Sequence, residues 1–269
     1  MPFQTTIRRA IAAIFAFLAG LAGPSAAMAM CQPVASGPDP LLHHAALLQA
    51  AAPAAGSLRL TFLGHASFLI ESPEDVSAVT DYNGYLRPDR LPDIVTMNNA
   101  HSTHYTDRPD PGILHVLRGW GEQGDMAVHD VTLRDMRVRN VPTNVRDYGG
   151  TRVSGNSIFV FEAGGLCVAH LGHLHHTLTD MHLAELGVID VLLVPVDGSY
   201  TMAQDYMAEV IAQIQPPVVI PMHYFNASTL AGFLQRMDGT YQVRTSDSAT
   251  VTLSRQTLPY RQILVLPGH

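Results

Sequence analysis

Leu166-Cys167-Val168-Ala169-His170-Leu171-Gly172-His173-Leu174-His175-His176 decides how the chain is read. Four apolar residues run straight into a seven-residue stretch that carries four histidines. A short apolar run reads as a buried strand, so the histidines emerge where a strand ends and a loop begins. Imidazole at a strand end can be aimed into a cleft, and it binds a metal without carrying charge. A chance cluster on a surface loop is the competing reading, and one histidine would not displace it. The cluster gains weight because histidines recur at similar positions elsewhere in the chain.

On the amino-terminal side, Ser157 to Phe161 and a Gly164-Gly165 turn complete a hairpin that delivers His170. Further upstream, Leu58, Leu60 and Phe62 alternate with Arg59 and Thr61, the pattern of a half-buried strand. Gly64-His65 breaks it, and Ala66 to Ile70 resumes as its hairpin partner. Asp93 to Met97 reads as a strand that runs into Asn98-Asn99-Ala100-His101-Ser102-Thr103-His104. Residues 108–125 are rich in Pro and Gly and hold the only tryptophan, Trp120; loops of this size usually cover something. Val128 to Val141 reads as one or two strands.

On the carboxyl side the pattern becomes strand–helix alternation. Val188 to Val196 is nearly all apolar, the mark of a strand covered on both faces, and it leads to Asp197-Gly198. Thr201-Met202-Ala203-Gln204 has the form of a capping box, with Tyr206, Val210, Ile211 and Ile214 at helical spacing after it. Pro216-Pro217 stops that helix. Val218 to Ile220 is the next buried strand and runs into Pro221-Met222-His223-Tyr224. Leu230, Phe233, Leu234 and Met237 mark another helix, capped from Asn226 or Ser228. Val251, Leu253 and Ile263 to Leu266 read as closing strands.

His65, His101, His104, His170, His173, Asp197 and His223 thus share a position, just beyond the carboxyl end of an expected strand. Open α/β sheets place their ligands along that edge. Each also has a plainer reading. His65 could hydrogen-bond loop backbone, and Asp197 could cap the turn before Gly198. His175 reads as exposed, His176 as a ring that orients a ligand, and Tyr224 as core.

Composition bounds the rest. The chain has 269 residues, 47% hydrophobic and 14% charged, which suits one large domain or two small ones and argues against disorder. A net charge of −7 argues against a nucleic-acid partner and leaves a small-molecule substrate as the expectation. Fourteen histidines stand against two cysteines, Cys31 and Cys167, which form no evident framework and are not expected to pair.

Residues 1–29 read as a signal peptide. Arg8 and Arg9 precede an apolar run from Ile11 to Leu21, and Ala27-Met28-Ala29 supplies small residues for cleavage after Ala29. Export to the periplasm is expected, with no stable membrane insertion after cleavage. Met30 before Cys31 makes a poor lipoprotein signal. Residues 30–56 read as a linker with one short helix between Pro40 and Ala52, and residues 57–269 as the folded domain.

Several stretches together resemble the metallo-β-lactamase-fold hydrolases, and more closely their ascorbate-6-phosphate lactonase-like branch. They are Leu63-Gly64-His65-Ala66-Ser67-Phe68-Leu69-Ile70, Thr80-Asp81, Gly155-Asn156, His170-Leu171-Gly172, Leu192 to Val196 and Ile220 to Tyr224. The resemblance covers residues 57–269 and implies an α/β (α+β) fold, a four-layer αββα sandwich with a metal cleft at one edge of two sheets. It carries His101, His104, His170 and His223 over as metal ligands, and His173 as a ligand position with changed chemistry.

The departures are specific. The family's His-x-His-x-Asp-His reads Asn99-Ala100-His101-Ser102-Thr103-His104 here, and its His-Leu-Gly-Asp reads His170-Leu171-Gly172-His173. Two carboxylates that would offset the repulsion between two cations are missing, and an imidazole cannot easily bridge, because each nitrogen points one way. A single divalent metal, with zinc the expectation, therefore fits His101, His104, His170, His173 and His223. Zinc held by three imidazoles keeps a fourth position where water is acidified. Asp197, or less readily Asp107, is the expected substitute for the lost water-positioning aspartate, with His65 beside it in the catalytic set. The resulting expectation is a hydrolase of an ester, lactone or phosphoester. A relative that binds metal or ligand without turnover is the alternative, and β-lactam hydrolysis fits the motif details least.

Overall fold

The computed structural model describes residues 51–122 and 125–268. The expected signal peptide, Cys31 and nearly all of the expected helix between Pro40 and Ala52 lie outside the described residues. Cys167 is disulfide-bonded, against the expectation that it would not pair.

The alternation noted in Ser57 to Phe62 becomes β1 (Ser57–Gly64), whose buried positions face inward while Arg59, Thr61 and Leu63 are half-covered. It pairs antiparallel with β2 (Ser67–Glu71), setting Leu60 opposite Ile70 and Phe62 opposite Phe68. The two phenylalanine rings stack with centroids 4.7 Å apart. Next come β3 (Ser77–Val79), β4 (Ile94–Met97) and β5 (His115–Arg118). The expected loop 108–125 therefore holds a strand, which pairs parallel with β4.

The second half begins with β6 (Asp130–Leu133), β7 (Met136–Asp147), β8 (Gly150–Ala163) and β9 (Leu166–His170). Then α1 (Asp180–Leu186), β10 (Val191–Pro195), α2 (Gln204–Ile214), β11 (Val218–Met222) and α3 (Ala227–Arg236) alternate. The short strands β12 (Gln242–Thr245), β13 (Thr250–Ser254) and β14 (Gln262–Val265) close the chain. Among the described residues these build a six-stranded sheet, β13-β1-β2-β3-β4-β5, and an eight-stranded sheet, β12-β14-β11-β10-β9-β8-β7-β6.

Layering follows from which faces are apolar. Leu58, Leu60, Phe68 and Ile70 of the first sheet meet Phe159, Phe161, Val168, Leu193 and Ile220 of the second in one core. The alternate residues of the second sheet, Ala169, Leu192, Val194 and Val219, pack against Leu186, Met207, Val210, Ile211 and Phe233 from the three helices. Strands β9, β10 and β11 are buried on both faces, which is why they read as continuous apolar runs. The outer face of the first sheet carries Val79, Val95 and Met97 and is covered by Ile113, Tyr105 and Trp120 from loops. The helical cover described here thus lies on the eight-stranded sheet. Parallel pairing of β9 with β10 and of β10 with β11 brings three carboxyl ends to one edge, where His170, Asp197 and His223 follow.

One local expectation fails for a tertiary reason. Helix α2 starts at Gln204 with no side-chain cap. Thr201 donates its hydroxyl to Asp197 Oδ1 at 2.6 Å, and Gln204 Nε2 donates to the carbonyls of Val196 and Thr229. The capping pair is spent on the site edge instead. By contrast Asn226 does cap α3, accepting from Thr229 N–H.

Candidate metal centre

Three turns at this edge hold non-glycine residues in left-handed backbone: His65 at φ 52°, Asp81 at φ 44° and His223 at φ 55°. Such conformations cost energy for residues with a Cβ and persist only where the surroundings impose them. His223 N–H donates to the His65 carbonyl at 2.7 Å, tying the end of β11 to the β1–β2 turn of the other sheet. Asp81 follows β3 and accepts from Asn98 N–H at the end of β4. Asn98 Nδ2 in turn donates to the Ser157 and His170 carbonyls. Gly172 sits at φ 58°, and a Cβ there would lie 2.4 Å from the Asn98 side chain, so the contact needs glycine.

These turns bring His65, His104 and His223 together, with one nitrogen from each within 4.8 Å of the others. His104 Nδ1 is 2.6 Å from Asp81 Oδ2, and His223 Nδ1 is 3.1 Å from Asp197 Oδ1. A carboxylate on Nδ1 fixes the proton there and leaves Nε2 with a lone pair. The two Nε2 atoms are 3.2 Å apart, and the rings are nearly parallel, at 10°. Two lone pairs facing at that distance repel unless a cation lies beside them. His65 Nε2 is buried with no hydrogen-bond partner. Histidines oriented by carboxylates, plus an unspent buried nitrogen, fit a divalent cation that accepts imidazole ligands.

The electrostatics agree with neutral, ligand-ready rings. Burial drives His104 well below the ordinary imidazole range, with His223 and His101 adding to it. Burial, then His223 and His104, lowers His65 to about 4. Burial raises the fully enclosed Asp81, while His170 and the Asn98 N–H pull it back. For Asp197 burial acts upward, yet the hydrogen bonds from His223, Thr201 and Ser199 outweigh it and hold the carboxylate below its usual range.

A family model described as a beta-lactamase superfamily domain matches residues 59–223, more than half of the chain, from β1 to His223 itself. The chain belongs to the beta-lactamase superfamily. It is 27% identical over 197 residues to a metal-dependent hydrolase of Pyrococcus furiosus, covering 62% of this chain and 84% of that one. A metal-dependent hydrolase of Methanosphaerula palustris is 29% identical over 186 residues, with 62% of this chain and 84% of that one covered. Among solved structures, a Thermotoga maritima protein assigned to the Zn-dependent hydrolases of the metallo-β-lactamase superfamily superposes with a TM-score of 0.57 at 28% identity. That match covers 79% of this chain and all of that one. A metallohydrolase from Ignicoccus hospitalis shares the fold, with a TM-score of 0.53 at 21% identity, over 74% of this chain and 99% of that one.

Within this superfamily member the expected ligands separate. His104 and His223 are in the trio. His173 is buried beside them, its ring 4.8 Å from His104 and 5.5 Å from His223, with Nδ1 unpartnered. His101 is exposed at the rim, 5.7 Å from both His104 and His173, and its Nδ1 lies 3.0 Å from Thr103 Oγ1. His170 lies outside the trio: its Nε2 meets the Ala66 carbonyl at 2.8 Å and is 4.0 Å from Asp81 Oδ2, so the ring ties two sheets in the interior, while its Nδ1 is buried without a partner. His65, read as catalytic, sits where a ligand would.

Asp197 does not match the role of a water-positioning base either. Oδ2 accepts N–H bonds from Ser199, Tyr200 and Thr201, and Oδ1 takes the Thr201 hydroxyl and His223. It orients His223. Asp107 is exposed. Asn99, at the position of the family's first histidine, accepts from Arg152 Nη2. His175, expected at the surface, is buried, accepting from Arg146 N–H on Nδ1 and meeting the Tyr200 carbonyl with Nε2. His176 Nε2 accepts from Asn144 N–H. Asp81 was missed as a site residue although Thr80-Asp81 stood among the resembling stretches. Its signal was the same strand-end position that marked the histidines.

Proposed function

We propose that the chain is a metal-dependent hydrolase that holds one divalent cation, zinc being the expected ion, on His65, His104 and His223, with His173 alongside. The observation that carries this is the pair of Nε2 atoms 3.2 Å apart, each on a ring whose Nδ1 is held by a carboxylate. When bound, the cation supplies Lewis-acid activation of water and of the scissile carbonyl or phosphoryl oxygen. Asp81 and Asp197 aim the two rings. His173 offers a neutral buried ring with a free nitrogen, able to hold a water or a substrate oxygen. A single cation is supported by Asn99 turning to Arg152 and by Thr103 engaging His101, which removes two donors a second cation would need. The substrate class is an ester, lactone or phosphoester, in line with the hydrolase names of the relatives. Export to the periplasm is part of the same reading, supported by the leader-like sequence and by a disulfide at Cys167, since such bonds persist in oxidising compartments.

The test is metal analysis of protein purified without chelators, followed by a panel of esters, lactones and phosphodiesters. One equivalent of cation together with turnover that a chelator abolishes is expected. Protein that stays metal-free when offered zinc, manganese, iron or copper would sink the proposal. One observation favours a second reading, a relative that binds metal without turnover. Both carboxylates beside the rings, Asp81 and Asp197, have hydrogen bonds on both of their oxygens, leaving neither free to serve as base. Bound metal with no hydrolysis across the panel would select that reading.

A further inference from the structure

Two aromatic rings stand over the histidine cluster without cover. Phe225 is 58% exposed and Tyr200 65% exposed. The Phe225 ring centroid lies 5.5 Å from that of His223 and 6.0 Å from that of His65. Tyr200 meets Phe225 edge-on at 5.5 Å, with the planes at 74°. The backbone on which Tyr200 rides is pinned: its N–H donates to Asp197 Oδ2, and its carbonyl meets His175 Nε2. Phe225 sits between His223, which is tied to His65, and Asn226, the cap of α3. Its neighbour Tyr224 packs against the helical core. The two rings are therefore held out over the cluster by fixed backbone. Among the described residues, the other exposed tyrosines, Tyr85, Tyr148, Tyr206 and Tyr260, make no ring contact with these histidines.

We propose that Phe225 and Tyr200 form an aromatic wall that takes a flat, uncharged aryl group of the substrate beside the bond to be cleaved. This rests on the hydrolase reading above and narrows its substrate class. Aromatic rings attract one another in offset or edge-on arrangements, beyond the gain from area covered. A phosphate or carboxylate would gain nothing from Phe225, whose ring carries no donor. Phe225 itself lies 5.5 Å from His223 and 6.0 Å from His65 between ring centroids, so an aryl group packed on its cluster side would set an adjoining bond toward those rings. The pair thus acts in binding and selection rather than in the chemical step.

The experiment compares phenyl acetate with methyl acetate on the metal-loaded full chain, for wild type, Phe225→Ala, Tyr200→Ala and Phe225→Trp. Phe225→Ala is expected to raise KM for phenyl acetate about tenfold more than KM for methyl acetate, with metal content retained. Phe225→Trp restores the phenyl preference. A second arm needs no turnover: ligand-observed NMR of 2-naphthol with metal-free protein, expected to show binding to wild type and Phe225→Trp and none to the double alanine variant. Equal effects on both esters, or none on either, would overturn the wall. So would 2-naphthol that ignores wild type or still binds the double variant. If neither ester is turned over, the full panel of esters, lactones and phosphodiesters decides the hydrolase reading, and the 2-naphthol arm alone decides the wall.

Discussion

Two sets of histidines lie side by side in this protein, and their difference is in what their nitrogens do. His65, His104, His173 and His223 form one set, with nitrogens that face one another or have no hydrogen-bond partner. His170, His175 and His176 form the other, each with at least one ring nitrogen on backbone groups at Ala66, Arg146, Tyr200, Asn144 or Thr177, although Nδ1 of His170 is buried without a partner. In the first set Asp81 orients His104 and Asp197 orients His223, whereas the second set staples backbone. Three residues of the contiguous run His170 to His176 fall in the second set and one, His173, in the first. Density of histidine along the chain is thus a poor guide to where rings converge; nitrogens that face one another across the fold are a better one.

The largest expected effect separates the sets directly. His104→Ala or His223→Ala should lose bound metal by more than the roughly 10–100-fold that removing an outer partner costs. His175→Ala should leave stoichiometry intact. Metal titration by calorimetry checks this, and metal lost equally from all three variants would dissolve the distinction. Next come the orienting carboxylates: Asp81→Asn and Asp197→Asn should each weaken metal binding about 10–100-fold, with the folded state retained. Unchanged affinity in both would mean that the rings are held by packing alone.

The pH dependence of the metal-free protein is a third measure. Burial holds His65 at about 4, and also lowers His104, His170 and His173, below the 6.5 of an unfolded histidine. Between pH 6.5 and about 4 the unfolded chain binds protons that folded His65 refuses, so stability falls as pH falls through that window and is level above it. Scanning calorimetry from pH 7.5 to 4.5 should show the melting temperature dropping only below about 6.5. A flat profile would mean that these rings protonate without leaving their places. The smaller effects belong to the stapling set. His175→Ala leaves the Arg146 N–H and Tyr200 carbonyl unpaired and should cost about 1–3 kcal/mol of unfolding free energy. His176→Ala, with one half-buried acceptor removed, should cost about 0.5–1.5 kcal/mol in the same denaturant titration.

Much of the fold was readable because apolar periodicity reports burial. The alternation in β1 and the unbroken runs of β9, β10 and β11 each gave a strand with its covered faces. The pieces not foreseen, β3, β5, β12 and α1, are three to seven residues long, too short for a period to show. At the site, the edge on which the residues gather followed from strand ends alone, and the resemblance named His104 and His223, two of the three rings that converge there. The role of Asp197 was readable in part. Three backbone N–H groups of its own turn meet the plainer reading of a turn cap, whereas its hold on His223, 26 residues away, depends on how two strands pair.

By itself, then, the order of residues determined the two-sheet α/β architecture, the carboxyl-edge location of the centre and the loss of the family's carboxylates at Thr103 and His173. Only the tertiary structure decided that His65 joins His104 and His223, that His170 turns inward to Ala66, and that Phe225 stands over the rings. The physical reason is that burial pattern is a property of each segment, whereas the partner of an imidazole nitrogen depends on groups a hundred residues away: 104 separate His170 from Ala66 and 119 separate His223 from His104.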